Sequence, residues 1–257
     1  MTYEFFNEWH LGDALFQCLY FQKVAPQFPK DEFILYCRED HHPQLVEAIE
    51  HLPNVRLLGL DKRTPQAIDC WIGRGGYWHQ HPMRVDYLRF YIAWFDLIGQ
   101  EAGLPNPIQS IKDFWFDYPA LKKETPLSRP FDFLVVNAIP KSGQFVYEPQ
   151  EMENFIALIA ERGHAVVTTN PCKTPGVPCT LEHGLTITGV GNVSNFCTYH
   201  LMVSTGPSWP TWNVHNVGKV RHRIILLNYV KLFYDDTCQH FGYLQGAANF
   251  LRAMKIL

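Results

Sequence analysis

The chain has 257 residues, 47% hydrophobic and 18% charged, enough to bury one large core or two small ones and far from a disordered composition. A net charge of −3 without a basic run excludes the electrostatic footprint of a nucleic-acid binder. No stretch approaches the ~18 apolar residues of a membrane helix, and the opening MTYEFFNEWH lacks a secretion signal's basic and apolar regions; a cytoplasmic protein is expected, with peripheral contact at the inner face of a membrane left open.

In chain order, Tyr3–Phe6 predicts a short strand and Asp13–Ala25 a helix, with Leu15, Cys18, Leu19 and Gln22 at helical spacing and Pro26 as its stop. Glu32–Cys37 reads as a buried strand, Pro43–Leu52 as a helix with proline near its start, Val55–Leu60 as a strand and Ala67–Ile72 as a fourth. Met83–Gly103 predicts a longer, aromatic helix. The proline- and charge-rich run after Tyr118 reads as an inter-domain linker, so the expected division is 1–118, a linker at 119–130, and 131–257. Beyond it come a strand at Phe131–Ala138, a helix at Pro149–Arg162, a strand at Ala165–Asn170, a segment Leu185–Gly189, a short helix near Asn192–Tyr199, strands at His200–Ser204 and Arg221–Asn228, and a closing helix at Gly242–Ile256. Strands separated by helices imply parallel pairing, hence an α/β protein of two Rossmann-like doubly wound domains facing across a cleft.

Seven cysteines without a CxxC pair are expected as reduced core thiols. Aromatic residues make up 14% of the chain, and some of them are candidates to line a groove. Trp209 and Trp212 would either stack on a sugar or base or close the domain interface.

Two segments carry candidate chemistry. Trp9-His10-Leu11-Gly12-Asp13 falls between the first strand and the first helix, where a doubly wound sheet presents residues to a ligand. Gly12 permits a sharp turn or close approach, and Asp13 is either a ligand-facing carboxylate or a helix N-cap. Ser204-Thr205-Gly206-Pro207-Ser208 follows a strand and offers hydroxyls and backbone N–H groups to a phosphate; a plain strand-to-helix turn has the same composition. Thr168 and Thr169 end a strand and are expected to touch a nucleotide or cap the next turn. Arg74, in IGRGG, is either an anion contact or a solvent-facing arginine. His79 and His81, two apart, and Cys172 with Cys179 lack the partners of a metal site.

Together the segments resemble the heptosyltransferase-like glycosyltransferases, two-domain GT-B enzymes that add a sugar from a nucleotide donor to lipopolysaccharide. HLGDALF matches the family's small-residue–Gly–Asp motif after the first strand. MVSTGPSWPTWNV, after VSNFCTYH, matches its Asp-Thr-Gly-Pro signature, and HPMRVDYLRFYIAWFDLIGQEAGLP its helix before the linker. The chain departs from the pattern: Ser204 replaces the aspartate, Trp209 stands where a histidine follows, and the N-terminal half is short.

The resemblance implies an inverting, metal-independent transfer to a glycan or glycolipid hydroxyl, with no cofactor beyond the nucleotide-sugar co-substrate. Asp13 would be the general base. Lys141 and the Thr205–Gly206 N–H groups, with Thr168, Thr169, Ser204, Pro207 and Ser208, would bind the donor and stabilise its leaving diphosphate. His10, Gly12 and Arg74 would face the acceptor. The departures favour a second reading, a non-catalytic nucleotide-sugar or glycan binder. An epimerase or dehydrogenase is disfavoured, since no GxGxxG follows the first strand.

Overall fold

The alternation of buried runs and helical segments resolves into two parallel sheets in the computed structural model, which describes residues 1–77, 87–141, 143–228 and 237–257. The Trp78–His81 pair of histidines and the expected helix start at 83–86 fall outside these residues. The chain divides into two compact units, Met1–Ala120 and Leu121–Leu257.

In the first unit the strands are β1 (Thr2–Asn7), β2 (Glu32–Cys37), β3 (Val55–Gly59) and β4 (Ile68–Asp69), in the order β3-β2-β1-β4 and all parallel. Helix α1 (Leu11–Val24) follows β1, α2 (His42–Ile49) follows β2, and α3 (Tyr87–Ala102) follows β4. The start of α1 lies two residues before the predicted one because His10, with extended backbone, takes the N-cap and its carbonyl receives the Ala14 N–H at 3.1 Å. Asp13 is therefore the third helical residue, not the cap, and Gly12 is helical, without the sharp turn expected of it.

Helix α1 is buried around most of its circumference, as a helix between a sheet and a second helix layer must be. The abundant aromatics supply that packing: Phe21 lies 5.2 Å from Phe5, Phe16 4.4 Å from Tyr91, and Tyr20 stacks on Phe95 at 5.4 Å. Most of the aromatic excess of this half thus fills a core and lines no groove.

The second unit contains β5 (Phe131–Val136), β6 (Val166–Thr168), β7 (Cys197–Val203), β8 (His222–Leu226) and β9 (Cys238–Phe241), in the order β6-β5-β7-β8-β9, again all parallel. Cys179 adds a one-residue parallel bridge to Thr168 beyond β6, where the third strand of a 3-2-1-4-5-6 Rossmann order would lie. Helices α4 (Pro149–Glu161), α5 (Ile187–Ser194) and α6 (Leu244–Ala253) complete it. Leu185–Gly189 thus enters α5, the stretch from Cys197 is strand, and β9 escaped the sequence pattern.

Alternation splits this sheet's two faces. Phe133, Val135, Leu201, Val203, Ile224 and Leu226 pack under α4 and α6. The register row Leu134–His200–Arg223 belongs to the other face, where His200 Nε2 pairs with the Ser194 carbonyl at 3.1 Å and Arg223 reaches Asn216 Oδ1 at 2.7 Å. Trp209 and Trp212 are 5% and 4% exposed, and Arg223 lies over Trp212 at 5.2 Å. Both indoles are therefore interior and closed to stacking on a ligand.

The expected linker, 119–130, contains the boundary between the two units. Leu121 and Leu127 are buried, and the Leu121 carbonyl accepts from Asn195 Nδ2 at 3.0 Å. All seven cysteines are free thiols, and no helix among the described residues is long and apolar enough to cross a membrane.

Gly191 is where Leu121 is received: a Cβ there would lie 2.6 Å from Leu121 Cδ2 and 2.9 Å from the Pro210 carbonyl oxygen. Gly191→Ala should therefore destabilise the protein by about 1–3 kcal/mol, the usual cost of overpacking, read as a lower urea midpoint.

Candidate active site

An open parallel sheet presents ligand-facing residues at its carboxyl edge, at the point where neighbouring strands send their connections in opposite directions. In the first unit that point lies between β1 and β4, in the second between β5 and β7.

Asp13 stands just after the first of these points, in the opening turn of α1. Its carboxyl is 8% exposed and accepts a hydrogen bond from the Tyr91 hydroxyl, Oδ1 to Oη 2.9 Å. Burial lifts its pKa from the ordinary 3.8 to about 7, against the Tyr91 hydrogen bond, which favours the charged form. The carboxyl is thus poised to gain or lose a proton near neutrality. Two buried amides lie on the same elements: Asn7, which ends β1, and Gln17, one turn beyond Asp13. Asn7 Oδ1 receives the Trp9 N–H at 3.0 Å, while Asn7 Nδ2 and Gln17 Nε2 have no hydrogen-bond partner among the described residues. His10 is half-buried beside them in sequence. Arg74 is not an open anion contact: it pairs with Glu101 at 2.6 Å and lies over the Trp94 ring at 5.0 Å.

In the second unit Ser204 and Thr205 follow β7, and Gly206–Thr211 is a short 3-10 helix. Thr205 and Ser208 cap one another, with Ser208 Oγ donating to the Thr205 carbonyl at 2.7 Å, and the Thr205 hydroxyl donates to the Val203 carbonyl at 3.2 Å. Both hydroxyls are occupied by the turn. Gly206 and Pro207 are half-buried, and the Ser204 carbonyl is held by Gln144 Nε2 at 2.6 Å. Lys141 is exposed in the loop after β5.

Thr168 and Thr169 have their hydroxyls engaged within the fold. Both are buried; Thr168 Oγ1 donates to the Pro178 carbonyl at 3.4 Å, and Thr169 Oγ1 donates to Asn137 Oδ1 at 3.0 Å while receiving the Asn137 N–H at 3.1 Å. They close the β5–β6 end.

Sequence reasoning missed Tyr91 as the partner of Asp13, and Asn7, Gln17 and Gln144 altogether. Only the helical offset of four between Asp13 and Gln17 was readable in advance.

Fold and edges together define a chain of two Rossmann-type parallel units, each with residues gathered at its switch point. Heptosyltransferase structures share this fold. Escherichia coli heptosyltransferase WaaC with ADP-2-deoxy-2-fluoro heptose superposes with a TM-score of 0.60 at 12% identity, over 99% of this chain and 100% of that one. The same enzyme with ADP gives 0.56 at 11% identity, over 99% of each chain. TibC, an iron-containing dodecameric heptosyltransferase in complex with ADP-D-beta-D-heptose, gives 0.53 at 13% identity, over 93% of this chain and 62% of that one. No family model and no curated protein matches the sequence.

The raised Asp13 pKa makes stability pH-dependent. Unfolded, the group titrates near 3.8 and folded near 7, so between these values the native state holds more protons and stability falls as pH rises. The full difference is roughly 4 kcal/mol at 1.36 kcal/mol per pKa unit. Asp13→Asn should flatten that slope in urea titrations run from pH 4 to pH 8 and leave the protein more stable than wild type at the alkaline end.

Proposed function

We propose that the protein is a glycosyltransferase that moves a sugar from a nucleotide-sugar donor to a hydroxyl of a glycan or glycolipid, with inversion and without a metal. The observation that carries this reading is Asp13: a buried carboxyl at the carboxyl edge of a Rossmann-type unit, with its pKa lifted to about 7. A general base works best when its pKa lies near the operating pH. The fold shared with WaaC and TibC, crystallised with ADP-heptose donors or their relatives, supports the same reading.

In the proposed step, ionised Asp13 takes the proton of the acceptor hydroxyl as its oxygen attacks the donor's anomeric carbon. The bond from that carbon to the nucleoside diphosphate breaks, and its electron pair leaves on the diphosphate. Tyr91 holds Asp13 Oδ1 by its hydroxyl, which orients the carboxylate and keeps its pKa from rising further. His10, at the head of the same helix, is proposed to hydrogen-bond the acceptor. Lys141 and the Gly206 N–H are proposed to receive the leaving charge, with the Ser204–Ser208 turn as their support. Thr168, Thr169 and Arg74 have no part, because their polar groups are engaged within the fold. The domains expected at 1–118 and 131–257 are proposed to divide the labour, the first taking the acceptor and the second the donor.

A second reading, a non-catalytic binder of nucleotide sugars or glycans, is favoured by the second unit. The Ser204 carbonyl, Thr205 and Ser208 are consumed by the turn, and Trp209 is interior, which leaves few polar groups for a diphosphate.

Thermal stability against ADP-, GDP-, UDP-, CMP- and dTDP-sugars tests the donor; a ligand at ~100 times its Kd adds about 2.7 kcal/mol. With the donor class in hand, Asp13→Ala should lower transfer by about 10²- to 10⁴-fold, the usual weight of general base catalysis, while the nucleotide-induced shift is kept. Equal background turnover in wild type and variant would sink the enzyme and leave the binder. Wild-type kcat/KM should rise with pH through about 7 as Asp13 ionises, and Tyr91→Phe should move that limb to higher pH.

A further inference from the structure

Strands β1 and β4 lie side by side and end in the same way. Asn7 closes β1 and its Oδ1 accepts the Trp9 N–H at 3.0 Å; Asp69 closes β4 and its Oδ1 accepts the Trp71 N–H at 2.8 Å. Each is an Asx turn, in which the side chain of one residue holds the backbone two positions on. Each therefore delivers a tryptophan just past the carboxyl edge. The two indoles stack, with centroids 4.7 Å apart and planes at 27°. Gly73 makes room for the inner one, since a Cβ there would lie 2.3 Å from Trp71 Cζ2.

The outer indole is only partly covered by the fold. Trp9 is 49% exposed while Trp94, Trp209 and Trp212 are interior. A braced indole packed on one side and open on the other has the build of a contact surface, since tryptophan is enriched where one part is apolar and the other wet. Glu8, next in sequence, lies 3.8 Å from Arg63, whose guanidinium stacks over Phe6 at 4.1 Å, and both side chains are partly exposed. A flat apolar face with charged groups on the neighbouring residue suits a pyranose ring, which has C–H bonds across its face and hydroxyls around its edge. A nucleobase would also stack, but Trp9 belongs to the connection that carries Asp13, four residues on, and not to the unit proposed to hold the nucleotide.

We infer that Trp9, braced by Trp71, is the platform on which the sugar ring of the acceptor lies, with Glu8 and Arg63 addressing its hydroxyls. The inference rests on reading this edge as the acceptor side.

The test uses the full chain and saturation-transfer NMR with methyl glycosides of hexoses and heptoses. Saturation should reach protons on one face of the ring. Trp9→Ala should weaken binding at least about tenfold, a loss of ~1.4 kcal/mol, with nucleotide-sugar binding unchanged. Trp9→Phe should retain most of it, and Gly73→Ala, which displaces the supporting indole, should lose it in part. Unchanged thermal midpoints in the Trp9 variants separate lost binding from lost folding. The platform is overturned if no glycoside binds, if Trp9→Ala binds glycosides like wild type, or if Trp9 fluorescence answers instead to a free nucleotide or to phosphatidylethanolamine–phosphatidylglycerol vesicles. Glycoside binding through Trp9 without Asp13-dependent transfer would keep the platform and remove the transferase. Asp13-dependent transfer with an acceptor KM indifferent to Trp9→Ala would do the reverse.

Discussion

A parallel sheet cannot turn straight back on itself; each strand must hand the chain to a crossover before the next begins. Where two neighbouring strands send their crossovers in opposite directions, the backbone parts and leaves a notch at the carboxyl edge. Both sheets have such a point, and Asp13 stands just after the one in the first unit. Asp13 is the clearest result. A surface carboxylate would be fully ionised at neutral pH, but one buried on α1 against Tyr91 of α3 is held back by its lost hydration. The single hydroxyl of Tyr91 returns part of that loss. The balance of those two opposing effects, and not the aspartate by itself, sets the acid–base behaviour of the site.

The second unit treats its polar groups differently. Its interior face carries His200 and Arg223 in one register row. Burial and the Arg223 charge depress the His200 pKa to about 3, so the imidazole stays neutral. Ser194, Asn213 and Asn216 knit α5 to the segment after the short helix: Asn216 Nδ2 donates to Ser194 Oγ at 2.9 Å and Asn213 Nδ2 to the Pro210 carbonyl at 2.8 Å. These bonds tie the helix and the following segment together, while His200 Nδ1 is left without a hydrogen-bond partner among the described residues. The Ser204–Ser208 turn is thereby fixed in place from behind, and its own hydroxyls are spent in shaping it.

Much of the architecture was legible because buried parallel strands read as unbroken apolar runs; EFILYC kept its bounds and FDFLVVNA lost only its last two residues. β9 was not legible, since CQHF has neither an apolar run nor a clean alternation, and the start of α1 was displaced because His10 caps through its backbone, which leaves no side-chain signature. Asp13 stood out through its place after the first strand. Tyr91, 78 residues away, did not, because nothing local says which hydroxyl of an aromatic helix will meet which acid. At Thr168 and Thr169 the sequence left two roles open for a related reason: a strand's end says where a side chain is, but not that the Pro178 carbonyl and Asn137 engage those hydroxyls. Composition likewise did not separate an aromatic core from an aromatic groove.

Trp71 and Gly73 are two positions with one degree of freedom. The indole occupies the volume in which any side chain at 73 would begin, so position 73 is held to glycine for as long as Trp71 keeps this place. Over evolutionary time a change at 71 should precede any change at 73. A descendant that traded Trp71 for a small residue would release Gly73 to drift, whereas one that gained a side chain at 73 first would have to pass through a form with the stacked indoles pushed apart.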